Sequence, residues 1–323
     1  MFATFLLSCL LCWLYLQLAR RLKLLDSPNA RSAHQHPTPN GGGAAIYLAF
    51  SVCLLVANTY LQVLSTDYLL LAAFTIGLML LGIIDDVKPL PVLLRLSAYG
   101  ISCLVTAVLL LPDATGFGLW HALLIPIVAF IMLWMVNLYN FMDGIDGLAA
   151  SQAVLVSAVV AMLALSNGSR GYAVFCLLIA AAQLGFLIWN WPRASLFMGD
   201  AGSVPTGYLF AALALLGAVQ GGPGVACWLI LLAVFVTDAS WTLVWRFIRG
   251  QSITQAHRLH AYQRLSRHWD SHQKVVIAFV LVFLVWLTPL AWLAEVHPQS
   301  ALLLVILAYL PLLLGMAKFR PLA

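Results

Sequence analysis

Apolar runs of about 20 residues recur from one end of this chain to the other, and they restrict it to one class of fold. Of its 323 residues, 63% are hydrophobic and only 8% are charged, whereas soluble domains have about 25% charged residues. A helical run of this length matches the thickness of a bilayer. The sequence therefore predicts an all-α, polytopic membrane protein in which residues 1–323 form a single domain.

About 11 of these runs are predicted to be transmembrane helices. They cover residues 2–19, 44–64, 67–84, 92–111, 120–139, 148–165, 171–190, 203–219, 225–245, 275–294 and 300–317. No stretch between them is long and polar enough to form a separate soluble domain.

The basic residues predict the orientation of these helices. Arg20 and Arg21 follow the first run instead of preceding it, which is the reverse of a cleaved signal peptide. With the N-terminus outside, 15 of the 16 Lys and Arg residues fall in inner loops, and only Arg170 falls outside. The positive-inside rule therefore predicts a periplasmic N-terminus. The net charge of +5 follows from this sorting and does not indicate nucleic-acid binding.

The stretch from Asn137 to Asp146 carries two amides and two carboxylates at the end of an apolar run. Asn137, Asn140 and Asp143 are spaced i, i+3, i+6, so they share one helix face if the helix continues that far. Polar groups of this kind are unfavourable at the mouth of a membrane helix unless they have a function. Their oxygens are ligands that Mg²⁺ prefers, although a polar helix end in a tight turn is the simpler alternative.

Two further acidic stretches are predicted at the same membrane face. Asp85 and Asp86 end the run at 67–84, where they could serve metal or proton chemistry or simply be solvated. Asp200 lies in a glycine-punctuated loop just before the run at 203–219, where it could bind a cation or cap the helix. Arg95 begins the next run after Asp86 and could hold a phosphate or anchor that helix at the headgroups.

Two loops at this face could bind anions. Gly41–Gly43 precede the second run, and their backbone N–H groups could face an anion, although a flexible linker is equally compatible. His257, His260 and Arg264 are spaced i, i+3, i+7, which would place them on one face of a short helix. Such a face suits a diphosphate, and a basic helix on anionic lipid is the alternative.

Taken together, these loops predict a single site at the cytoplasmic face. Carboxylates would bind Mg²⁺, and the cation and the basic side chains would bind a diphosphate. Because the site opens between membrane helices, a lipid phosphate can reach it from the bilayer. Phosphoryl transfer from a nucleotide-linked donor to a lipid acceptor fits these parts.

Five motifs in this order resemble the polyprenyl-phosphate N-acetylhexosamine-1-phosphate transferases of glycosyltransferase family 4. The resemblance covers nearly the whole chain. The motifs are Pro37-Thr-Pro-Asn-Gly-Gly-Gly43, Asp85-Asp86, Asn137-Leu-Tyr-Asn-Phe-Met-Asp-Gly-Ile-Asp-Gly147, Phe197-Met-Gly-Asp-Ala-Gly-Ser203 and His257-Arg-Leu-His260. The resemblance implies transfer of a sugar 1-phosphate from a UDP-sugar to undecaprenyl phosphate, with release of UMP, in the bacterial inner membrane.

The resemblance also implies roles for individual residues. Asp200 would bind Mg²⁺, with Mn²⁺ as an alternative, and Asn140 would join it. The predicted catalytic residues are Asp85, Asp86, Asp143 and Asp146, the first two beside the lipid phosphate and the last two at the nucleotide-sugar site. The predicted substrate-binding residues are Arg95, Asn137, Asn140, His257, Arg258 and His260. Membrane lipids would surround the protein, and a homodimer is compatible with the sequence.

The motifs favour one branch of this family. The muramoyl-pentapeptide branch carries a histidine triplet where this chain has His257-Arg-Leu-His260. The chain looks more like the enzymes that start O-antigen, lipopolysaccharide or related surface polysaccharides. Its sugar would be N-acetylglucosamine or a 6-deoxy relative such as N-acetylfucosamine or N-acetylquinovosamine. Peptidoglycan synthesis within the family, a lipid transporter or flippase, and a structural membrane subunit are the alternatives.

Overall fold

A computed structural model describes residues 1–22, 25–26, 37–111, 118–252 and 257–318 of the chain. Helices dominate these residues. They are α1 (Phe2–Leu22), α2 (Gly43–Leu61), α3 (Thr66–Val87), α4 (Val92–Leu110), α5 (Gly118–Met142), α6 (Leu148–Ser166), α7 (Arg170–Asn190), α8 (Asp200–Gln220), α9 (Val225–Leu231), α10 (Ala233–Ile248), α11 (Ala261–Trp269), α12 (His272–Val282), α13 (Thr288–Val296) and α14 (Ala301–Lys318). A π-helical turn, Phe283–Leu287, joins α12 to α13, and a 3-10 turn, Pro298–Ser300, precedes α14.

Two short strands are the exception to the all-α prediction within the described residues. β1 (Leu25–Asp26) and β2 (Thr38–Pro39) pair in antiparallel register, with Leu25 opposite Pro39 and Asp26 opposite Thr38. Most of the predicted loop at 24–43 lies outside the described residues.

Ten of the described helical segments are long and apolar enough to cross a membrane. The pair α9 and α10 qualifies as an eleventh span when its two helices are taken together, and they meet at a bend of 70°. The predicted number of spans agrees with this count when the bent pair is one span. A multi-pass membrane protein follows from these helices, while the predicted orientation stays a prediction.

The centre of the bundle is formed by α6, α7 and α8. Buried residues make up 72% of the apolar stretches of α6 and α8 and 61% of that of α7, but only 17% of that of α14. α7 packs against α1, α2 and α6, and α8 packs against α3, α4 and α5. The outer helices therefore keep apolar faces for lipid, while α8 lies among neighbours on several sides.

Buried hydroxyl groups hold α8 in place. Tyr47 of α2 contacts Thr206 of α8 through their hydroxyls at 2.5 Å, and Gln183 of α7 donates to the same hydroxyl at 3.1 Å. Tyr208 pairs with Thr106 of α4 at 2.6 Å. Hydrogen bonds of this kind are the main polar links between helices in an apolar environment. They fix the rotation of α8 and hence the direction in which its first residue points.

Candidate functional site

Asp86, in the last turn of α3, caps the start of α8. Its carboxylate accepts hydrogen bonds from the backbone N–H groups of Asp200 at 2.9 Å and Ala201 at 3.1 Å, and from the side-chain amide of Asn40 at 3.1 Å. The first N–H groups of a helix lack partners within it, so a carboxylate at this position satisfies them and favours the helix dipole. Helix α8 therefore begins at Asp200, three residues before the predicted span.

Gly199 makes this close approach possible. Its φ is +70°, and a Cβ at this position would lie 2.5 Å from the Asp86 carboxylate. Only glycine meets both conditions without strain. We refer to the end of the bundle that contains Asp86 and Asp200 as the site end.

Asp85, the neighbour of Asp86, faces a different set of groups. Arg95 of α4 lies 2.7 Å from one oxygen of Asp85 and 3.3 Å from one oxygen of Asp200. The other Asp85 oxygen accepts from the backbone N–H of Leu90 at 2.6 Å. Adjacent residues on a helix point about 100° apart, which explains why the two carboxylates have different partners. The predicted proximity of Arg95 to the paired aspartates is present in the structure.

Asn140 and Asp200 meet directly. The Asn140 amide donates to Asp200 at 2.7 Å and to the hydroxyl of Ser203 at 3.1 Å. Asn137 behaves differently, because its amide donates to the carbonyl of Leu133 in its own helix at 2.8 Å. Helix α5 ends at Met142, so Asp143 lies just beyond the helix on which the three were predicted to share a face.

Among the site carboxylates that the structure describes, Asp143 has the fewest protein partners. None of the described residues donates a hydrogen bond to its side chain, and its backbone N–H donates to the carbonyl of Asn140 at 3.2 Å. Partial burial, followed by the charges of Asp200, Asp86 and Asp146, raises the pKa of the Asp143 carboxyl to about 8. The charges of Asp200, Asp86 and Asp146 therefore oppose the ionisation of Asp143, and a bound cation would offset that repulsion.

Asp146 connects two loops at the site end. Its carboxylate accepts from the backbone N–H of Ala194 at 3.0 Å and lies 3.2 Å from Nδ1 of His272, the first residue of α12. The nearby Asn190 amide bridges the N–H of Gly147 at 2.9 Å and the carbonyl of Leu196 at 2.9 Å. Asp146 is therefore engaged with the protein, in contrast to Asp143.

The glycine run at 41–43 packs against the loop that leads into α8. The N–H groups of Gly42 and Gly43 donate to the carbonyls of Phe197 and Met198, each at 2.9 Å. A Cβ on Gly43 would lie 2.0 Å from the backbone of Gly202. The expectation that the N–H groups of this run face an anion is wrong for Gly42 and Gly43, because the neighbouring loop already uses these donors.

The histidine segment lies against the end of α5, but not as the predicted helix face. Helix α11 begins at Ala261, so His257 and Arg258 precede it and His260 is its N-cap residue. His260 is only 3% exposed, and its ring is 4.8 Å from that of His257. The shared helix face with Arg264 is therefore wrong, because the chain is extended at His260, where ψ is 145°.

A divalent cation fits the charges of the site. Asp85, Asp86, Asp143 and Asp200 converge there, and Arg95 is the guanidinium that contacts two of them. Within the described ranges, no group of three or more His, Cys, Asp or Glu side chains is arranged to hold a metal. Mg²⁺ commonly uses one or two carboxylates together with waters and substrate phosphates, so this donor set is compatible with it.

Several residues of the site were not predicted from the sequence. Asn40 supports Asp86, His272 pairs with Asp146, and Asp238 of α10 contacts the start of α11. Asp238 had a signal in the sequence, because it is the one acidic residue in the run at 225–245. Asn40 lies in the first motif of the family resemblance, but neither its contact with Asp86 nor the contact of His272 with Asp146 had a local signal, since both depend on which loops meet.

Comparison with known proteins relates these helices to a family. Residues 68–218 match the model of glycosyl transferase family 4. A probable undecaprenyl-phosphate N-acetylglucosaminyl 1-phosphate transferase of Bacillus subtilis (strain 168) is 29% identical over 280 residues, which are 82% of this chain and 76% of the relative.

Relatives of a second kind are similarly near. A phospho-N-acetylmuramoyl-pentapeptide-transferase of Halalkalibacterium halodurans is 29% identical over 310 residues, 88% of this chain and 93% of the relative. Another, from Geobacillus sp. (strain WCH70), is 31% identical over 237 residues, 66% of this chain and 72% of the relative. The matched family region includes Asp85, Asp86, Asn140 and Asp200.

Proposed function

The chain belongs to glycosyl transferase family 4, and on that premise we propose that it transfers an N-acetylhexosamine 1-phosphate from a UDP-sugar to undecaprenyl phosphate, releasing UMP. The observation that carries the proposal is the contact of Asp200 with Asn140 and Arg95 beside Asp85 and Asp86. Carboxylates, an amide and a guanidinium around one point suit a cation-bound diphosphate and a lipid phosphate.

In the proposed reaction, a phosphate oxygen of the lipid attacks the phosphorus that carries the sugar. The bond from that phosphorus to the UMP oxygen breaks, and UMP leaves with the electron pair. The lipid phosphate is largely ionised near neutral pH, so a general base is useful but not required. Arg95 would hold this phosphate, and its contact with Asp85 supports an orientation of the guanidinium toward the site.

Asp200 and Asn140 are the proposed ligands of Mg²⁺, with Mn²⁺ as an alternative. Asn140 donates its amide N–H to Asp200, which leaves its carbonyl oxygen for a cation. A bound divalent cation would supply charge neutralisation at the diphosphate. Asp143 and Asp146 would line the nucleotide-sugar side, and His257, Arg258 and His260 would contact the diphosphate. Asn137 would have to release Leu133 to contact a substrate.

We place the protein in the bacterial inner membrane with the site end facing the cytoplasm. The product would start O-antigen, lipopolysaccharide or a related cell-envelope polysaccharide, with N-acetylglucosamine or a 6-deoxy N-acetylhexosamine as the sugar. The name of the Bacillus subtilis relative supports N-acetylglucosamine. A second candidate is transfer of phospho-N-acetylmuramoyl-pentapeptide, which is favoured by the relative that this chain covers to 93%.

The test is release of UMP by the purified protein. Undecaprenyl phosphate and Mg²⁺ would be incubated with a panel of UDP-N-acetylhexosamines and with UDP-N-acetylmuramoyl-pentapeptide. We expect release that needs both the lipid and the cation, and the best donor identifies the sugar. The matched control is the variant Asp67→Asn, which should release UMP like the parent protein. Asp67 is in the same helix as Asp85 but near its other end, where its carboxylate accepts from the Gln220 amide. No release with any donor from a folded protein would contradict the proposal and favour a lipid transporter.

A one-step displacement is the proposed mechanism. Incubation with radiolabelled UDP-sugar alone should leave no label on the protein. Recovery of a phospho-aspartate would establish a covalent intermediate instead.

A further inference from the structure

Asp238 is a buried carboxylate to which no role has yet been given. It lies in α10 shortly after the bend between α9 and α10, and it is only 4% exposed. A buried charge in an apolar helix is unfavourable unless it is paired and hydrogen-bonded. The partners of Asp238 therefore indicate what it does.

Most of those partners belong to the start of α11. One oxygen of Asp238 accepts from the N–H of Ala261 at 2.7 Å, and the other accepts from the N–H of Tyr262 at 3.0 Å. Nδ1 of His260 lies 3.5 Å from the carboxylate. Helix N-termini are usually capped by a side chain a few residues away, but here His260 supplies no such cap. The cap of α11 comes from another helix.

The start of α11 in turn rests on the end of α5. The hydroxyl of Tyr262 donates to the carbonyl of Phe141 at 2.8 Å. A Cβ on Gly144 would lie 2.1 Å from that hydroxyl, so the two segments are in close contact. The ring of His260 stacks on Phe141 with centroids 6.3 Å apart. Asp238, α11 and the turn that carries Asp143 therefore form one continuous set of contacts.

We propose that Asp238 is a positioning residue of the site, which holds His260 and Tyr262 against the end of α5 by capping α11. The proposal rests on the proposed function, because it assigns the histidine segment to donor binding. Asp238 itself touches no reacting atom. Its loss should weaken donor binding more than it slows the chemical step.

The first test is Asp238→Asn, which removes the charge and one of the two acceptors. We expect the KM for the UDP-sugar to rise about tenfold while kcat stays within about threefold, since a charge-assisted hydrogen bond is lost. The matched control is Thr237→Val, because Thr237 is equally buried at 4% and its hydroxyl has no hydrogen-bond partner among the described residues. The proposal would be overturned if the donor KM did not change. It would also be overturned if kcat fell about tenfold while the donor KM stayed the same.

A double-mutant cycle separates positioning from general damage. If Asp238 acts through His260, then Asp238→Asn should change the donor KM by less than about twofold when His260→Ala is already present. Fully additive effects would show that Asp238 acts elsewhere and would overturn the proposal.

Ala261→Pro keeps the proposal testable if Asp238→Asn does not fold. Ala261 is the first residue of α11, where proline is well tolerated, and His260 has the extended ψ of 145° that a following proline requires. The substitution deletes the N–H that Asp238 accepts and leaves the carboxylate in place. We expect the donor KM to rise in the same direction by about threefold. No change would contradict the capping role.

Limited trypsin digestion gives a readout that does not depend on activity. Trypsin cleaves after Arg258, Arg264 and Arg267, which flank or lie within α11. Cleavage there should be several times faster in Asp238→Asn than in the parent protein or in Thr237→Val. Faster cleavage without UMP release from any variant would support the cap while the proposed function fails. Unchanged cleavage would overturn the cap whatever the activity.

Discussion

Carboxylates lie in polar groups at opposite ends of the bundle, and the two groups are built in different ways. At the end remote from Asp200, Glu295 of α13 accepts from the Asn167 amide at 2.5 Å, the Gly224 N–H at 3.0 Å and the Cys227 thiol at 2.8 Å. At the site end, none of the described residues donates a hydrogen bond to the side chain of Asp143. We refer to the remote group as the Glu295 cluster.

The two ends differ in whether the protein itself supplies hydrogen-bond donors to the carboxylates. The Glu295 cluster joins the turn after α6, the start of α9 and α13, and its hydrogen bonds are internal to the protein. The site end places Asp143 near other carboxylates, and none of the described residues donates a hydrogen bond to its side chain, which is unfavourable for folding when Asp143 is ionised. A negative charge that the protein leaves uncompensated is available to a cationic ligand, so the first cluster is structural and the second is suited to chemistry.

The largest expected effect tests this contrast at its centre. Asp200→Asn should lower UMP release by on the order of a hundredfold or more, since the proposed cation ligand loses its charge. The variant should remain folded in detergent, because an amide can still contact Asn140. Turnover within a few-fold of the parent protein would remove Asp200 from the metal site.

The second effect concerns stability and has an unusual sign. The folded-state pKa of Asp143 is about 8, well above the value of 3.8 for an unperturbed carboxyl. Between these two values the folded state binds more protons than the unfolded state, so stability falls as pH rises from about 4 to about 8 and is then constant. Asp143→Asn removes this dependence and should be the more stable form at pH 8 by about 1–3 kcal/mol, allowing for partial solvent screening.

Thermal unfolding in chelator-containing buffer across this pH range measures the effect. The chelator matters because a bound cation would keep the carboxylate ionised. If the unfolding temperatures of the parent protein and of Asp143→Asn changed with pH in parallel, the pH dependence of stability would not come from Asp143.

A third substitution tests whether the capping of α8 by Asp86 requires a glycine at position 199. Gly199→Ala introduces a Cβ at a φ of +70° and 2.5 Å from the Asp86 carboxylate. We expect a loss of stability of about 1–2 kcal/mol and a fall in activity of about tenfold, because Asp86 must move away from the start of α8. Gly77→Ala in α3 is the control, since a Cβ there meets nothing within 4 Å. If the two variants had similar activities, the capping of α8 by Asp86 would not be needed for UMP release.

The smallest effect belongs to the other end. Glu295→Gln keeps one acceptor oxygen but loses the charge and the second acceptor, so stability should fall by about 1 kcal/mol. UMP release by the folded variant should match the parent protein. A large loss of turnover without unfolding would mean that the two ends are coupled and that the contrast between them is too simple.

The sequence predicted the helices well because apolar length alone defines a membrane span. It also placed Asp85 and Asp86 at a helix end. In the structure Arg95 and Asn140 both contact Asp200, while the roles given to these three residues stay predictions. The start of α11 was not predictable from local residues, because its cap is Asp238, more than 20 residues earlier. Gly42 and Gly43 were misread for the same reason: their donors pair with a loop more than 150 residues away.

The Asp86 cap also bears on how the chain is made. Asp86 and Asp200, whose backbone N–H donates to it, are 114 residues apart, so a growing chain exposes Asp86 before this partner exists. At ribosomal rates of about 5–20 residues per second, this interval is roughly 6–23 s. During it, Asp85 can already pair with Leu90 and Arg95. Asp86 is left with the Asn40 amide and with water at the membrane surface. Because Asp85 and Asp86 lie in the final turn of α3, both carboxylates can stay outside the lipid until α8 is synthesised.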